Sequence, residues 1–315
     1  MSMGEEVPAA EEPPVIDLYD ITKPERRREI VRSISEACET WGFFQITNHG
    51  FDEALMKRTI EVFTEFFQLP DEEKLSIEAS QVSGGHSQGY FRPRTDGHVL
   101  QKATEFLYNL YGPEEEIDTR PSQPPSLQST IEAYVEAMDG LSREILGLLS
   151  EGLGLPQTTL AVYMGSSHGV RTNYYQPTQN VLEKVFSVSP HTDPGALTLL
   201  LTNDVSGTQV KKDDRWVQIS PVPGSFLVNV GDQIEILSNG RYMSVEHRGV
   251  PHETQHRLTL ATFTHPVPST VVGPIPLLLD ESHPQLYKTQ TYSSYFGSFS
   301  TKGLVGRSLI EDAKI

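Results

Sequence analysis

From Pro24 onward, apolar side chains recur at intervals of three and four (Ile30, Ile34, Ala37, Trp41), which predicts an amphipathic helix. Gly42 breaks that period, and Phe43–Thr47 reads as a strand closing on the turn Asn48-His49-Gly50. A second stripe, Leu55, Thr59, Val62, Phe63 and Phe66, predicts a helix that stops at Pro70. A third is longer: Ile131, Val135, Met138, Leu141, Ile145 and Leu148 trace one face, with Gly152 or Gly154 as the stop. Between the second and third helices, the glycine-bearing stretch Ser80–Gly97 and the proline cluster Pro121–Pro125 are expected to be loops. Val15–Leu18 suits a short strand. Arg26-Arg27-Arg28 reads as a solvated helix face.

After about residue 165 the pattern changes to short β-type runs punctuated by Gly, Pro, Asn and Asp. They are Val170–Tyr175, Val185–Ser189, Leu197–Leu201, Gln209–Lys211, Trp216–Ile219, Ser225–Val230, Tyr242–Glu246 and Arg257–Thr264. Such spacing predicts a β-sandwich or barrel-like jelly roll, with a helical layer supplied by the first half. Ile234–Ser238 is expected to be a helical exception, and the tail stretches Ser293–Phe299 and Leu304–Leu309 to be helical. The organisation expected is therefore a mixed α and β protein in three parts. Residues 1–14, acidic and Pro-rich, form a loose arm; residues 15–165 form a helical region packing on the core; residues 166–315 form the core with its helical tail.

Composition narrows the function classes. Hydrophobic residues make up 37% of the 315 and charged residues 21%, the balance of an ordinary globular chain. The formal net charge of −17 repels phosphate backbones and argues against a nucleic-acid partner. A single cysteine, Cys38, rules out an intramolecular disulfide and a cysteine-based zinc site, which fits a reducing compartment. The opening Met-Ser-Met-Gly-Glu-Glu has neither a basic nor an apolar leader region, and no apolar run approaches the ~18 residues of a membrane helix. The expectation is a cytoplasmic protein with no membrane partner.

Ten histidines make any one of them weak evidence. His191 stands out because Asp193 follows two positions on, and in an extended chain the two side chains share one side, where imidazole and carboxylate can converge on an ion. Two imidazoles and one carboxylate with open positions make the facial triad of non-haem iron oxygenases, and His247, on a strand-like run, can complete it. Ten residues on, Arg257 and Thr259 share one face of a strand. An inward guanidinium needs a partner, and a dicarboxylic co-substrate supplies one bidentately. A competing motif, His252-Glu253-Thr254-Gln255-His256, fits the zinc-peptidase pattern. That pattern needs a helix, whereas strand-like runs flank the pentamer on both sides, so it reads as a polar hairpin turn.

The chain resembles the plant-type 2-oxoglutarate/Fe(II)-dependent dioxygenases of the isopenicillin N synthase-like superfamily, the flavonoid-oxidising type most. The resemblance is carried in order by Trp41–Gly50, Asn173-Tyr174-Tyr175, His191-Thr192-Asp193, Gly231-Asp232, Leu237–Gly240 and Tyr242–Arg248. It implies a double-stranded β-helix core, Fe(II) on His191, Asp193 and His247, and 2-oxoglutarate with its far carboxylate on Arg257 and Thr259. By position Asn173 and Tyr175 would orient that co-substrate, O2 would be consumed, and ascorbate would serve as reductant. Two departures are visible: the family's Arg-x-Ser is here Arg-x-Thr, and its Asn-Tyr-Tyr-Pro-Pro-Cys is here Asn-Tyr-Tyr-Gln-Pro-Thr.

The implied activity is hydroxylation or desaturation of a small aromatic metabolite by a monomer. A flavonoid is the first expectation, in the manner of a flavone synthase or flavanone hydroxylase. A salicylate-like phenolic or a plant hormone comes second, and an oxidase of the same fold that does not use 2-oxoglutarate third. A zinc metallopeptidase acting through His252 and His256 stands last. For the substrate, strand alternation turns Phe263 to the same cavity as Thr259, and Arg171 is a polar candidate two residues before Asn173. Phe106, Tyr108, Tyr295 and Phe296 are weaker candidates that core packing explains equally well.

Overall fold

The computed structural model describes residues 11–75, 89–91, 95–96, 99–100, 103–109, 122–164, 168–178, 188–303 and 306–315. Three long helices lie in the first half. α1 (Pro24–Thr40) opens on a proline, whose missing N–H costs nothing at a helix start, and buries Ile30, Ile34, Ala37 and Cys38. α2 (Glu53–Gln68) is capped by Asp52, whose carboxylate accepts from the Ala54 amide at 2.8 Å. α3 (Leu127–Gly152) packs against both and carries the predicted stripe on its buried face. Arg27 departs from the solvated face expected of it: it reaches across from α1 to Glu144 and Glu151 on α3, both at 2.6 Å.

Most of the described strands form two facing sheets, and two short pairs, Thr95–Asp96 with Val99–Leu100 and Val271–Val272 with Gln290–Thr291, stand apart from them. The first-half strands are β1 (Val15–Asp17), β2 (Phe43–Thr47), β3 (Gly89–Phe91) and β4 (Ala103–Asn109). The second half adds β5 (His168–Tyr175), β6 (Val188–His191), β7 (Leu197–Thr202), β8 (Thr208–Lys212), β9 (Arg215–Ile219), β10 (Phe226–Val230), β11 (His247–Gly249) and β12 (Arg257–Thr264). The major sheet runs β1-β2-β10-β7-β12-β5-β4-β3, and the minor sheet β9-β8-β11-β6. This is a jelly roll with helices on the outer face of its larger sheet. Alternation along β12 shows why. Leu258 and Leu260 join the helical core and Thr262 meets Tyr134 of α3, while Arg257, Thr259, Ala261 and Phe263 turn inward to a cavity between the sheets.

The helical first half thus also supplies both edges of the major sheet. Residues 11–14 of the expected arm touch both sheets: the Pro14 carbonyl accepts from the Gln45 amide of β2, and Glu12 accepts from Ser220, just past β9. The stretch 80–97 contains edge strand β3; apart from that and Thr95–Asp96 it lies outside the described residues, as do Pro121 and the start of the run Val185–Ser189. Helix α4 (Asp232–Leu237) takes the place expected for Ile234–Ser238. In the tail, α5 (Tyr292–Lys302) covers Ser293–Phe299, and α6 (Ser308–Asp312) begins later than Leu304–Leu309 predicts.

Two expectations are corrected. Tyr242–Glu246 is irregular, and the strand begins at His247. The amides of Tyr242, Met243 and Ser244 donate to Ser238 Oγ, the Cys38 carbonyl and the Glu235 carboxylate, so no ladder is left for them to join. The pentamer His252–His256 is neither helix nor hairpin: it crosses from β11 in the minor sheet to β12 in the major one. His252 Nδ1 accepts the amides of Thr254 and Gln255, and His256 stacks on Tyr174, so the zinc-peptidase geometry is absent.

Candidate active site

β6 and β11 run antiparallel with His191 directly opposite His247, which brings the two imidazoles to 4.3 Å between centroids. Asp193 sits just past the end of β6, so it joins them through a turn, not through strand alternation. Its Oδ1 lies 3.5 Å from His191 Nε2 and 3.7 Å from His247 Nε2. One ligand atom from each of the three residues falls within 4.8 Å of the others.

Hydrogen bonds behind the triad aim it. His191 Nδ1 donates to the Ser189 carbonyl at 2.8 Å, and His247 Nδ1 to the Val245 carbonyl at 3.2 Å. Those partners assign the tautomer and leave each Nε2 lone pair on the cavity. Asp193 Oδ2 accepts from Thr198 Oγ1 at 2.6 Å and Asn229 Nδ2 at 2.7 Å, which leaves Oδ1 to face the imidazoles. Burial opposes the charge of Asp193, yet the neighbouring imidazoles and the Thr198 hydroxyl hold its carboxyl well below the usual range. Burial, with His191 alongside, pushes His247 down to about 4, so its ring is neutral at pH 7. The site therefore offers an anionic oxygen and a neutral imidazole from one side, a donor set that fits a divalent iron.

Across the cavity lies a cationic anchor. Arg257 is 2% exposed, its guanidinium rests over the Tyr175 ring at 4.8 Å, and Nη2 donates to Thr208 Oγ1 at 2.6 Å. Its Nε and Nη1 have no partner among the described residues. Two unmatched donors on a buried cation are costly, and a carboxylate would satisfy them. Gly207 permits this pose: a Cβ there would lie 2.8 Å from Arg257 Cδ and press on the Val250 carbonyl. Beside the arginine, Asn173 Nδ2 donates to Thr259 Oγ1 at 3.3 Å, and Asn173 Oδ1 is left open.

The cavity joining triad and anchor encloses about 600 Å³ including its mouth, and its wall includes Arg171, Phe263 and Phe43 as well as the triad and anchor residues described above. Phe43 meets the His247 ring edge-on at 5.3 Å. Arg171 Nε is buried and unmatched among the described residues. The tail candidates are elsewhere. Tyr295 is a core residue donating to Asp232 Oδ2 at 2.6 Å, and Phe296 packs against Tyr292 and Phe299; neither lines the cavity. The backbone register sets Phe106 opposite Thr172 and Tyr108 opposite Val170, and their side chains lie outside the described residues.

Sequence reasoning missed Thr198, Asn229, Thr208 and Phe43. A signal existed for two of them: Thr198 and Asn229 are polar positions inside apolar strands, and a buried polar group implies a partner.

A jelly roll that presents two histidines and an aspartate beside a buried arginine defines the class of non-haem iron oxygenases. Comparison with known proteins agrees. Residues 166–266 match the model of the 2OG-Fe(II) oxygenase superfamily, and residues 13–128 that of the non-haem dioxygenase in morphine synthesis N-terminal family. The chain is 35% identical to jasmonate-induced oxygenase 2 of Arabidopsis thaliana, across 98% of this chain and 84% of the relative. It is 33% identical to flavanone 3-dioxygenase 2 of Oryza sativa subsp. japonica, across 92% and 84%. The crystal structure of JOX2 in complex with 2OG, Fe, and JA superposes with a TM-score of 0.85 at 35% identity, covering 96% of this chain and 89% of that one. The chain belongs to the plant-type 2-oxoglutarate- and Fe(II)-dependent oxygenases. It is an enzyme whose cofactors are Fe(II) and 2-oxoglutarate and which uses O2 on a small molecule. No helix among the described residues is long and apolar enough to cross a membrane.

Proposed function

We propose that His191, Asp193 and His247 hold the iron, that Arg257 with Thr259 takes the far carboxylate of 2-oxoglutarate, and that Asn173 and Tyr175 orient it. The substrate is a small aromatic metabolite, with a flavonoid as the first class. Bound there, Fe(II) with 2-oxoglutarate and O2 would supply the oxidising power for hydroxylation or desaturation of the substrate. The residues of this chain do the rest. Arg257, Thr259 and Asn173 fix the co-substrate at one end of the cavity, and Thr198 and Asn229 keep Asp193 aimed. Phe43, Phe263 and Ala261 add apolar wall to the cavity and help exclude water.

The observation that carries the co-substrate assignment is the pair of unmatched donors on buried Arg257. Phe263, with its ring on the cavity wall, carries the aromatic reading. A second reading is favoured by the unmatched Arg171 Nε, which suits an acidic substrate such as a salicylate-like phenolic or a hormone acid; one relative was solved with JA. The test is a panel of flavanones, phenolic acids and hormone acids given Fe(II), ascorbate and 2-oxoglutarate, read by mass shift and succinate release. Succinate coupled to a product that gains oxygen or loses two hydrogens, with a flavanone best, is expected. A hormone acid as the best substrate selects the second reading; oxidation without succinate rejects the 2-oxoglutarate assignment.

A further inference from the structure

The C-terminal segment bonds to both stretches of backbone that carry the triad, the one with His191 and Asp193 and the one that leads into His247. The Gly306 amide donates to the Pro190 carbonyl at 3.1 Å, and the Thr192 amide donates to the Gly306 carbonyl at 3.3 Å, so the tail holds the chain on either side of His191. Arg307 Nη2 donates to Glu235 Oε1 at 2.8 Å, and Nη1 donates to Glu235 Oε2 at 3.3 Å and to the Ser244 carbonyl. Ser244 lies three residues before His247, and its amide donates to Glu235 Oε2 at 2.6 Å. Glu235 stands on α4, whose first turn holds the first of these stretches at and just beyond Asp193. The Asp232 amide donates to the Asp193 carbonyl at 2.8 Å, and the Gln233 amide to the Gly195 carbonyl at 2.9 Å.

Gly306 is fitted to this junction. Its φ of +59° is left-handed, and a Cβ would lie 2.7 Å from Glu246 Oε1, in the residue just before His247. Glu235 is 3% exposed and its side chain meets Arg307 through both oxygens, the bidentate geometry that fixes orientation as well as distance.

We propose that Arg307, seated by Gly306 and paired with Glu235, is a positioning residue that holds the segments bearing His191, Asp193 and His247 in mutual register. This rests on the reading of those three as the iron site. Arg307 does not line the cavity; it sets how closely the stretch bearing His191 and Asp193 and the stretch leading into His247 approach each other.

The test titrates the full-length, metal-free chain with Co(II) by calorimetry, alongside thermal unfolding. Arg307→Ala is expected to weaken Co(II) binding by about 10–100-fold, the usual effect of losing an outer-shell support, and Arg307→Lys to recover part of it. Arg27→Ala is the control, because it breaks a comparable buried-edge pair to Glu144 and Glu151 between α1 and α3, away from the site. It should lower thermal stability and leave Co(II) affinity at the wild-type value. Arg307→Ala binding within twofold of wild type, or Arg27→Ala losing affinity equally, overturns the proposal. If Arg307→Ala does not fold by circular dichroism, Arg307→Lys is judged by the same criterion. Wild-type chain that binds no Co(II) rejects the iron-site reading itself, a different result from failure of the role given to Arg307.

Discussion

Arg257 is buried with two donors unmatched, and its proposed role is to receive a carboxylate there. Replacing it with lysine keeps a cation but loses the planar fork, so KM for 2-oxoglutarate should rise about tenfold or more while iron affinity stays put; steady-state kinetics and metal titration measure the two separately. Gly207→Ala should act in the same direction without removing any donor, because its methyl group displaces the arginine side chain. His49 offers a residue-scale pH test on stability. Burial lowers its imidazole below the ordinary 6.5, its Nε2 donates to the Gly224 carbonyl at 3.0 Å, and its Nδ1 accepts the Phe51 amide. The unfolded chain then binds more protons than the folded one just below pH 6.5, so stability falls as pH drops through that window. His49→Gln should flatten that part of a urea-midpoint profile; an unchanged slope would contradict it. At this scale the sequence showed the charged chemistry but not its supports. His191 and Asp193 stand two apart in the chain and Thr198 follows five residues after Asp193, whereas Asn229 reaches Asp193 because β10 pairs with β7 and sets it opposite Thr198.

The helices were legible because each buries one face, which writes a period of three to four into the chain; α1, α2 and α3 appear where that period runs. Seven of the eight predicted runs in the second half include or overlap a strand for the analogous reason. The failure at Tyr242–Glu246 is instructive: its composition is strand-like, but the Ser238 and Glu235 side chains and the Cys38 carbonyl of α1 claim its amides. Pattern reports which face is apolar and says nothing of who accepts a backbone hydrogen bond. The same segment constrains the α1–β2 junction. Gly42 has φ +65°, and a Cβ there would run into the Met243 carbonyl and lie 2.8 Å from Val245 Cγ2. Gly42→Ala should therefore destabilise the protein by roughly 2 kcal/mol or more, combining backbone strain with the clash. Urea unfolding would show it as a lower midpoint at unchanged m-value.

For the whole molecule, the two matched family regions are parts of one sheet system. β2 pairs with β10, β4 pairs with β5, and α3 covers the face of β12 that bears Leu260 and Thr262. A fragment of residues 166–315 would expose that face and leave β10 and β5 as open edges. It should show no cooperative thermal transition; a sharp, reversible one would mean that the halves fold independently. The net charge of −17 belongs to this scale too, since it bears on association and not on the fold. What the whole architecture does is bring residues 191, 193 and 247 from two segments to one point, facing an arginine on the opposing sheet. Anaerobic calorimetric titration of the metal-free chain with Fe(II) tests that directly. One ion per wild-type chain is predicted, with binding lost in Asp193→Ala; an Asp193→Ala chain that binds Fe(II) as tightly as wild type would contradict the account.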